Sequence, residues 1–471
     1  MQGRMVRVAL AVLVLAAMGF SGWQWIQWYY PHITLDPEAE IDPERNYTIN
    51  VWVERGRGLV KMPALEAEFW SQVTSDFKSV YPNTEIVLKE VPAPDLEREM
   101  KEALNRGRPP NVLVASSQWF RCWSELQLPI DRFLPEGERE GYVLGALQKV
   151  TVGENLMAWP SHIQPRLWAA NRKELGKLSS DLASLLEEWK AGTLWFGDDL
   201  QAARDKLLKL KDVGENQLAH QFGSSATLVD LSVALGGGLI GPKGELLLTK
   251  ELLTSLVDLW QALRDERVLE LVQGTLLTDF FSGRRMVIGP VGLWIWTLEE
   301  EAALRGYRAL SVPQDVILLP PPGGNGENCG LLGTTVEVAV FRQRPFQGPA
   351  QARLSMEFAR DLSRKLGLEL SITGLGAPAY KPLWDEWQSA LGWGPDQRVN
   401  LEEVLESMAG LPPLNPKWHE ARRRLIGEVL IPGFDDFVNG KVGPEIAEKL
   451  DGEMRTFLAG IQGRRSQGKQ R

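Results

Sequence analysis

Groups that could transform a substrate are present in this chain, but not in the patterns catalysis needs. Adjacent carboxylates occur at Asp198/Asp199, Asp385/Glu386 and Asp435/Asp436. Each pair sits at an expected helix start or on a polar face, where capping or solvation accounts for it. His32, His162, His220 and His419 are scattered, without the i, i+4 pairing or cysteine neighbours of a zinc site. No Gly-x-Ser-x-Gly turn occurs, and no glycine is followed by four residues and Gly-Lys-Ser/Thr. Neither a nucleophile elbow nor a P-loop is therefore encoded. The glycine run 236–238 follows an apolar helical stretch and reads as a helix stop. No catalytic residue, metal or cofactor is expected. Binding is the better idea.

In parallel α/β sheets, ligands sit beyond the carboxyl ends of the strands. That rule selects residues near the ends of the expected strands: Trp52, Glu54 and Arg55; Ser116, Ser117, Gln118 and Trp119; Ser161, His162, Gln164 and Arg166; Trp294 and Trp296; Asn328 and Gly330; Tyr380. Amides, carboxylates and guanidinium groups hydrogen-bond hydroxyls, and rings cover C–H faces, so the set suits an uncharged polyhydroxyl ligand. The 18 tryptophans point weakly the same way, since burying a large ring is favourable wherever it lands. An anion would use Arg55 with Arg166. A cation would call for more carboxylates than Glu54. Plainer readings stand beside these: Trp52 packed under a helix, Trp119 and Trp123 in a core, His162 in a loop, Arg166 paired with a carboxylate.

The elements that must position these groups are legible from periodicity. Ile49, Val51 and Val53 alternate with Asn50 and Trp52 as a strand. Leu65, Phe69, Val73, Phe77 and Val80 recur at helical steps until Tyr81-Pro82. Residues 86–91 read as a second strand, a short helix opens at Pro94-Asp95, and Gly107 with Pro109-Pro110 stops it before a buried strand over 111–115. Strand–helix–strand–helix–strand with short connections means a parallel sheet covered by helices. Farther on, helices are expected over 182–189, 198–210, 252–263 and 350–366, and strands at 286–289, 307–312 and 331–341. Pro320-Pro321-Pro322 with Gly323-Gly324 marks a loop. The last hundred residues read as mainly helical, broken at Pro412-Pro413, Pro416 and Pro432-Gly433.

Location follows from the amino terminus. Residues 8–31 carry no Lys, Arg, Asp, Glu or His, long enough for a span of about 20 residues. Trp23, Trp25, Trp28, Tyr29 and Tyr30 have the character of a membrane–water interface. Arg4 and Arg7 precede the run and five acids follow it before residue 46, which predicts the remainder outside the cell. A cleaved secretory signal is the alternative, giving a secreted or periplasmic protein. Residues 32–46 read as an acidic tether and 459–471 as a basic tail. The net charge of −9 argues against nucleic acid, which is held by clustered cations. Two cysteines, Cys122 and Cys329, exclude a disulfide-rich scaffold and leave one bridge open.

Taken in order, these segments resemble the carbohydrate-type extracellular solute-binding proteins of bacterial ABC importers. ITINVWV and FWSQVTSDFKSVYPNTEIVLKEV resemble the family's opening strand, helix, "YP" turn and second strand. LEREMKEALNRGRPPNVLVASSQWF resembles its second helix and third strand, with Asn111 where Asp is usual. LPIDRFLPEG, GENLMAWPSHIQPRLWAANRKEL, TLWFGDDLQAARDKLLKL, LGGGLIGPKGE, FFSGRRMVIGPVGLW, CGLLGTTVEVAV and GLGAPAYKPLW continue the series. One departure is that Val291-Gly292-Leu293 separates Gly289-Pro290 from Trp294. The resemblance implies a two-lobed type II periplasmic-binding-protein fold, α/β, with a ligand cleft between lobes and an N-terminal transmembrane helix ahead of it. One lobe would comprise 47–160 and 325–377, the other 161–324 and 378–458. The implied function is capture of a small polar solute, a sugar or oligosaccharide, by lobe closure and delivery to ABC permease subunits. A monomer is expected. A ligand-sensing partner of a signalling receptor and an exported glycoside hydrolase are the competing readings; the latter needs two cleft carboxylates about 5–10 Å apart.

Overall fold

The computed structural model describes residues 35–55, 67–117, 121–171, 225–235, 238–265, 280–281, 287–293, 295–296, 316–319, 333–372, 376–408, 414 and 416–468. The first five elements follow the pattern read from the sequence. β1 (Tyr47–Arg55) buries Tyr47, Ile49, Val51 and Val53. α1 (Ala67–Val80) buries Trp70, Val73 and Phe77 and ends at the Tyr81-Pro82 turn. β2 (Thr84–Pro92), α2 (Ala93–Asn105) and β3 (Val112–Ser116) follow. Proline in the first turn of α2 costs nothing, because that N–H has no helical partner. Asn111 accepts hydrogen bonds at Oδ1 from the Asn50 backbone N–H (3.0 Å) and from the Asn50 amide (3.3 Å), joining the start of β3 to β1.

Next come α3 (Leu144–Val150), the short strands β4 (Thr151–Val152) and β5 (Asn155–Leu156), then β6 (Trp159–Gln164) and β7 (Leu167–Asn171). α4 (Ser225–Leu235), α5 (Lys250–Asp265), β8 (Val287–Val291) and β9 (Val316–Leu319) lead to β10 (Thr334–Val340), α6 (Pro349–Ile372) and β11 (Ala377–Pro378). The chain closes with α7 (Trp384–Leu391), α8 (Pro395–Ser407), α9 (Pro416–Leu425), α10 (Ile431–Val438) and α11 (Ile446–Gly468). Pro416 opens α9 and Pro432 lies in the first turn of α10, where proline is tolerated. At the end of α4, Gly238 takes φ +100° and its N–H donates to the Val233 carbonyl at 2.8 Å. That is the left-handed helix stop a glycine allows.

Among the described residues two larger sheets organise these elements, beside the two-stranded antiparallel pair β4-β5. The larger has the order β11-β6-β10-β3-β1-β2. β1, β2 and β3 are parallel, β10 enters antiparallel between β3 and β6, and β11 pairs antiparallel with β6. The parallel core was expected; the antiparallel strands come from a later part of the chain. Residues 160/161 lie within β6 and residues 377/378 form β11, so two of the expected lobe boundaries fall inside strands of this sheet. The smaller sheet is β8-β7-β9. Its side chains alternate between two cores. Leu167, Ala169, Val291, Val316 and Leu318 join the core of the larger sheet with α7 and α8, while Trp168, Ala170, Ile317 and Leu319 pack on α4, α5 and α9–α11.

α6 spans the larger sheet from end to end. Gln351 near its start donates to the Thr48 carbonyl at the beginning of β1. Ser371 near its end meets His162 of β6. Phe77 of α1 stands edge-on to Phe358 at 5.1 Å. Residues 35–46, within the expected acidic tether, lie against the protein, with Ala39 buried and Leu35 and Ile41 packed on the core. The expected helices over 182–189 and 198–210, the strand over 307–312, and the segment 8–31 lie outside the described residues. Among the described residues no helix is long and apolar enough to cross a membrane.

Candidate ligand-binding site

Strand register brings several of the expected residues to one edge. Ser116, Val336, His162 and Pro378 are successive partners across β3, β10, β6 and β11, near the carboxyl ends of the parallel strands. Glu54 joins them from β1. Its carboxylate is 1% exposed and accepts from the Ser116 backbone N–H (2.7 Å) and hydroxyl (2.9 Å). Hydrogen bonds to a charged acceptor are the stronger kind, so this pair ties β1 to β3 at the edge.

Around that pair the exposure differs. Trp52 is half-buried, with the Lys89 ammonium 4.2 Å from its ring centroid. Arg55 is exposed and pairs with Glu90 at 2.9 Å. Ser117 and Gln164 are half-buried and Arg166 is exposed. Ser161 is buried, its hydroxyl given to the Ser363 carbonyl at 2.7 Å. His162 is buried as well, Nδ1 lying 3.0 Å from the Ser371 hydroxyl, and burial lowers its pKa to about 3. The loop reading of His162 is corrected: it is a strand residue under α6. Gln118, Trp119, Trp294, Asn328 and Gly330 lie outside the described residues, as do Cys329 and the side chain of Cys122.

Two expected contacts lie elsewhere. Tyr380 follows β11, which runs away from the carboxyl edge, and its ring rests 4.8 Å from that of Tyr142 with the Arg364 guanidinium over it at 4.9 Å. Arg364 in turn pairs with buried Glu138 at 2.6 Å. Trp296 is 1% exposed and donates to the Val316 carbonyl at 3.0 Å. Its ring begins a ladder of indoles: Trp296–Trp393 at 4.7 Å, Trp393–Trp387 at 5.0 Å, Trp387–Trp384 at 6.3 Å, all edge to face. Trp387 donates to the Ser371 carbonyl and Trp384 to the Pro378 carbonyl. The ladder therefore joins β9 of the smaller sheet to α6 and β11 of the larger. Asn400 completes the junction by bonding both the N–H and the carbonyl of Leu318.

Glu337 on β10 was missed by the sequence reading, although a single acid in the strand TTVEVAV was a signal. It is fully buried and accepts from the Thr335 hydroxyl at 2.7 Å. It pairs with Ala115 of β3, so it shares a sheet face with Glu54, two strands away at about 10 Å by strand spacing. That distance is close to the spacing of an inverting hydrolase pair. Yet Glu54 and Glu337 are both closed off from solvent and engaged inside the fold, whereas a hydrolytic couple must face its substrate.

No family model matches the chain, and no curated protein matches it by sequence. Solved structures do. An extracellular solute-binding protein family 1 member from Alicyclobacillus acidocaldarius is 16% identical with a TM-score of 0.60, covering 89% of this chain and 100% of its own. The sugar-binding protein MalE from Xanthomonas citri is 15% identical with a TM-score of 0.60, covering 90% and 100%. An ABC substrate-binding protein from Listeria monocytogenes, in complex with cycloalternan, is 13% identical with a TM-score of 0.53, covering 90% and 100%. This is the α/β fold of the extracellular solute-binding proteins.

Proposed function

We propose that the protein is the solute-capturing component of an ABC importer, closing two lobes on a small polar solute of the sugar or oligosaccharide class. The observation that carries this reading is the entry of β10 between β3 and β6. It makes the chain leave the larger sheet after Gln164 and return at Thr334, so that two lobes share more than one crossing and can hinge. Support comes from the neighbours, which hold cycloalternan, acarbose or maltose. We assign the binding surface to the carboxyl edge of the larger sheet. There Trp52, Ser117, Gln164 and Arg166 keep exposed surface around the fixed Glu54–Ser116 pair. The larger lobe is built on β1–β3, β6, β10 and β11; the division 47–160 with 325–377 and 161–324 with 378–458 approximates it. Residues 8–31 anchor the protein to the membrane, with the lobes on the extracellular side.

A broad panel of sugars, amino acids, peptides and metal salts, screened by thermal shift on the full chain in detergent, tests this. A ligand bound only by the native state raises the melting temperature, by an amount equivalent to about 2.7 kcal/mol at a hundredfold excess over Kd. A rise with at least one sugar is expected. Rises confined to amino acids, peptides or metals overturn the carbohydrate assignment.

A further inference from the structure

Among the described residues β2 is the outermost strand of the larger sheet, held on one side by β1 along its whole length. On its other side every second N–H and carbonyl points outward, and natural edges of this kind are kept short, covered or blunted by charge. This one runs for nine residues, and Val87 and Leu88 stand exposed in its middle, at 40% and 37%, one on each face. The neighbouring helices leave it open. α1 joins β1 to β2, and α2 leads from β2 back past β1 to β3. Right-handed crossovers set these two helices on opposite faces and inboard of β2.

The charges along the strand select what pairs with it. Outward N–H groups alternate, so an antiparallel mate that is a second copy of β2 must have its twofold axis pass through a residue and not between two. With the axis at Val87, Glu85 lies opposite Lys89 of the second copy, Lys89 opposite Glu85, and Ile86 meets Leu88. Opposite charges directly across strands attract, and like charges repel. An axis at Glu85, Lys89 or Glu90 sets each of those charges against itself. An axis at Ile86 sets Glu85 against Val87, and one at Leu88 sets Lys89 against Val87. Of these axes only Val87 matches each central charge with its opposite and apolar with apolar. Both charged groups are placed for it. Glu85 is exposed with no ion pair among the described residues, and Lys89 stays half exposed beside Glu99 and the Trp52 ring.

We propose that two copies of this chain associate through β2, paired antiparallel about a twofold axis at Val87, so that their two six-stranded sheets become one. The joint consists of a strand edge and one apolar residue on each face, a small contact of the kind that gives weak, concentration-dependent association. The binding surface assigned above is not consumed in it. The twofold axis sets the two carboxyl edges at opposite ends of the joined sheet, and both copies keep theirs uncovered. The inference rests neither on the ligand class nor on the membrane anchor.

The test uses the full chain in detergent. In a background of Cys122→Ser and Cys329→Ser, Val87→Cys should oxidise to a covalent dimer, because residues directly opposite across strands lie within disulfide reach. Glu85→Cys mixed with Lys89→Cys should crosslink as well. Either alone should not, its two thiols standing about 13 Å apart by strand rise. With the native cysteines kept, sedimentation equilibrium from about 1 µM to about 1 mM reads the association. Lys89→Glu and Glu85→Lys should each raise the dissociation constant about tenfold, since two pairs per dimer turn from attraction to repulsion. Combining the two substitutions should restore it, which separates strand pairing from loss of the Lys89–Glu99 bridge. A monomer at every concentration, crosslinking of Glu85→Cys or Lys89→Cys alone as strong as that of the mixture, or a double variant no better than the singles overturns the proposal.

Discussion

The Nδ1 atom of His162 lies 3.0 Å from the Ser371 hydroxyl, and that hydroxyl gives its own hydrogen to the Gly367 carbonyl at 2.6 Å. Ser371 can therefore only accept from the imidazole, which places the ring proton on Nδ1 and leaves Nε2 bare. Nε2 is buried without a hydrogen-bond partner. The same Ser371 accepts at its carbonyl from Trp387. One serine thus couples the carboxyl edge of the larger sheet to the indole ladder.

Acid should weaken the fold through this histidine. Burial lowers its pKa from 6.5 to about 3, so between those values the unfolded chain binds a proton that the native one does not. Stability from this group is complete above about pH 6.5 and falls by about 1.4 kcal/mol per pH unit as the pH drops below it. Urea midpoints of wild type and His162→Gln at about pH 7.5 and about pH 5.5 measure this. The wild type should lose more on acidification than the variant; parallel losses would show that the imidazole stays uncoupled from folding.

Glu54→Gln keeps an acceptor for the Ser116 N–H and hydroxyl and loses only charge assistance, so a cost near about 1 kcal/mol is expected. Glu54→Ala leaves both buried donors unsatisfied and should cost about 2–4 kcal/mol. Equilibrium denaturation of the two variants provides the comparison. Equal effects would mean that the carboxylate does not hold β1 to β3.

Trp387 is fully buried in the middle of the ladder. Trp387→Ala removes a large ring and should cost about 3–5 kcal/mol, whereas Trp387→Phe keeps most of the packing and loses the bond to Ser371, about 1 kcal/mol. The ladder joins the two sheets, so the alanine variant should also broaden their relative orientation in small-angle scattering. An unchanged scattering profile with full destabilisation would confine the ladder to a packing role.

A Cβ at Gly376 would fall 2.0 Å from the Ile163 carbonyl oxygen and 2.7 Å from His162 Nε2. Backbone cannot yield as a side-chain tip can, so Gly376→Ala should destabilise by at least about 1–3 kcal/mol. Its thermal midpoint reports this directly. A variant as stable as the wild type contradicts the close approach of β11 to β6.

Much of the larger sheet was legible locally. The alternation of Ile49, Val51 and Val53, the helical spacing of Val73 and Phe77, and the proline stops each act over a few residues, and the structure follows them. Where β10 inserts was not legible from periodicity, since pairing partners more than two hundred residues apart leave no local trace. The same holds for the site. Glu54 and Ser116 stand out by their position after strands, but that they bond each other depends on register. Trp296 stands out as a ring for a ligand and instead packs on Trp393, because the turn between α7 and α8 brings that indole to it. Tyr380 was placed with the cleft set, yet the direction of β11 carries it toward Tyr142.

By itself the amino-acid order determined the α/β alternation, the lack of catalytic and nucleotide-binding motifs, and the stock of amides and rings suited to a polar guest. These are properties of residue type and short-range spacing. Only the tertiary structure decided which polar groups face one another, which indoles are consumed in joining the sheets, and that residues 35–46 pack against the fold. Those outcomes depend on long-range register and on burial, where a hydrogen bond between distant residues replaces one to water.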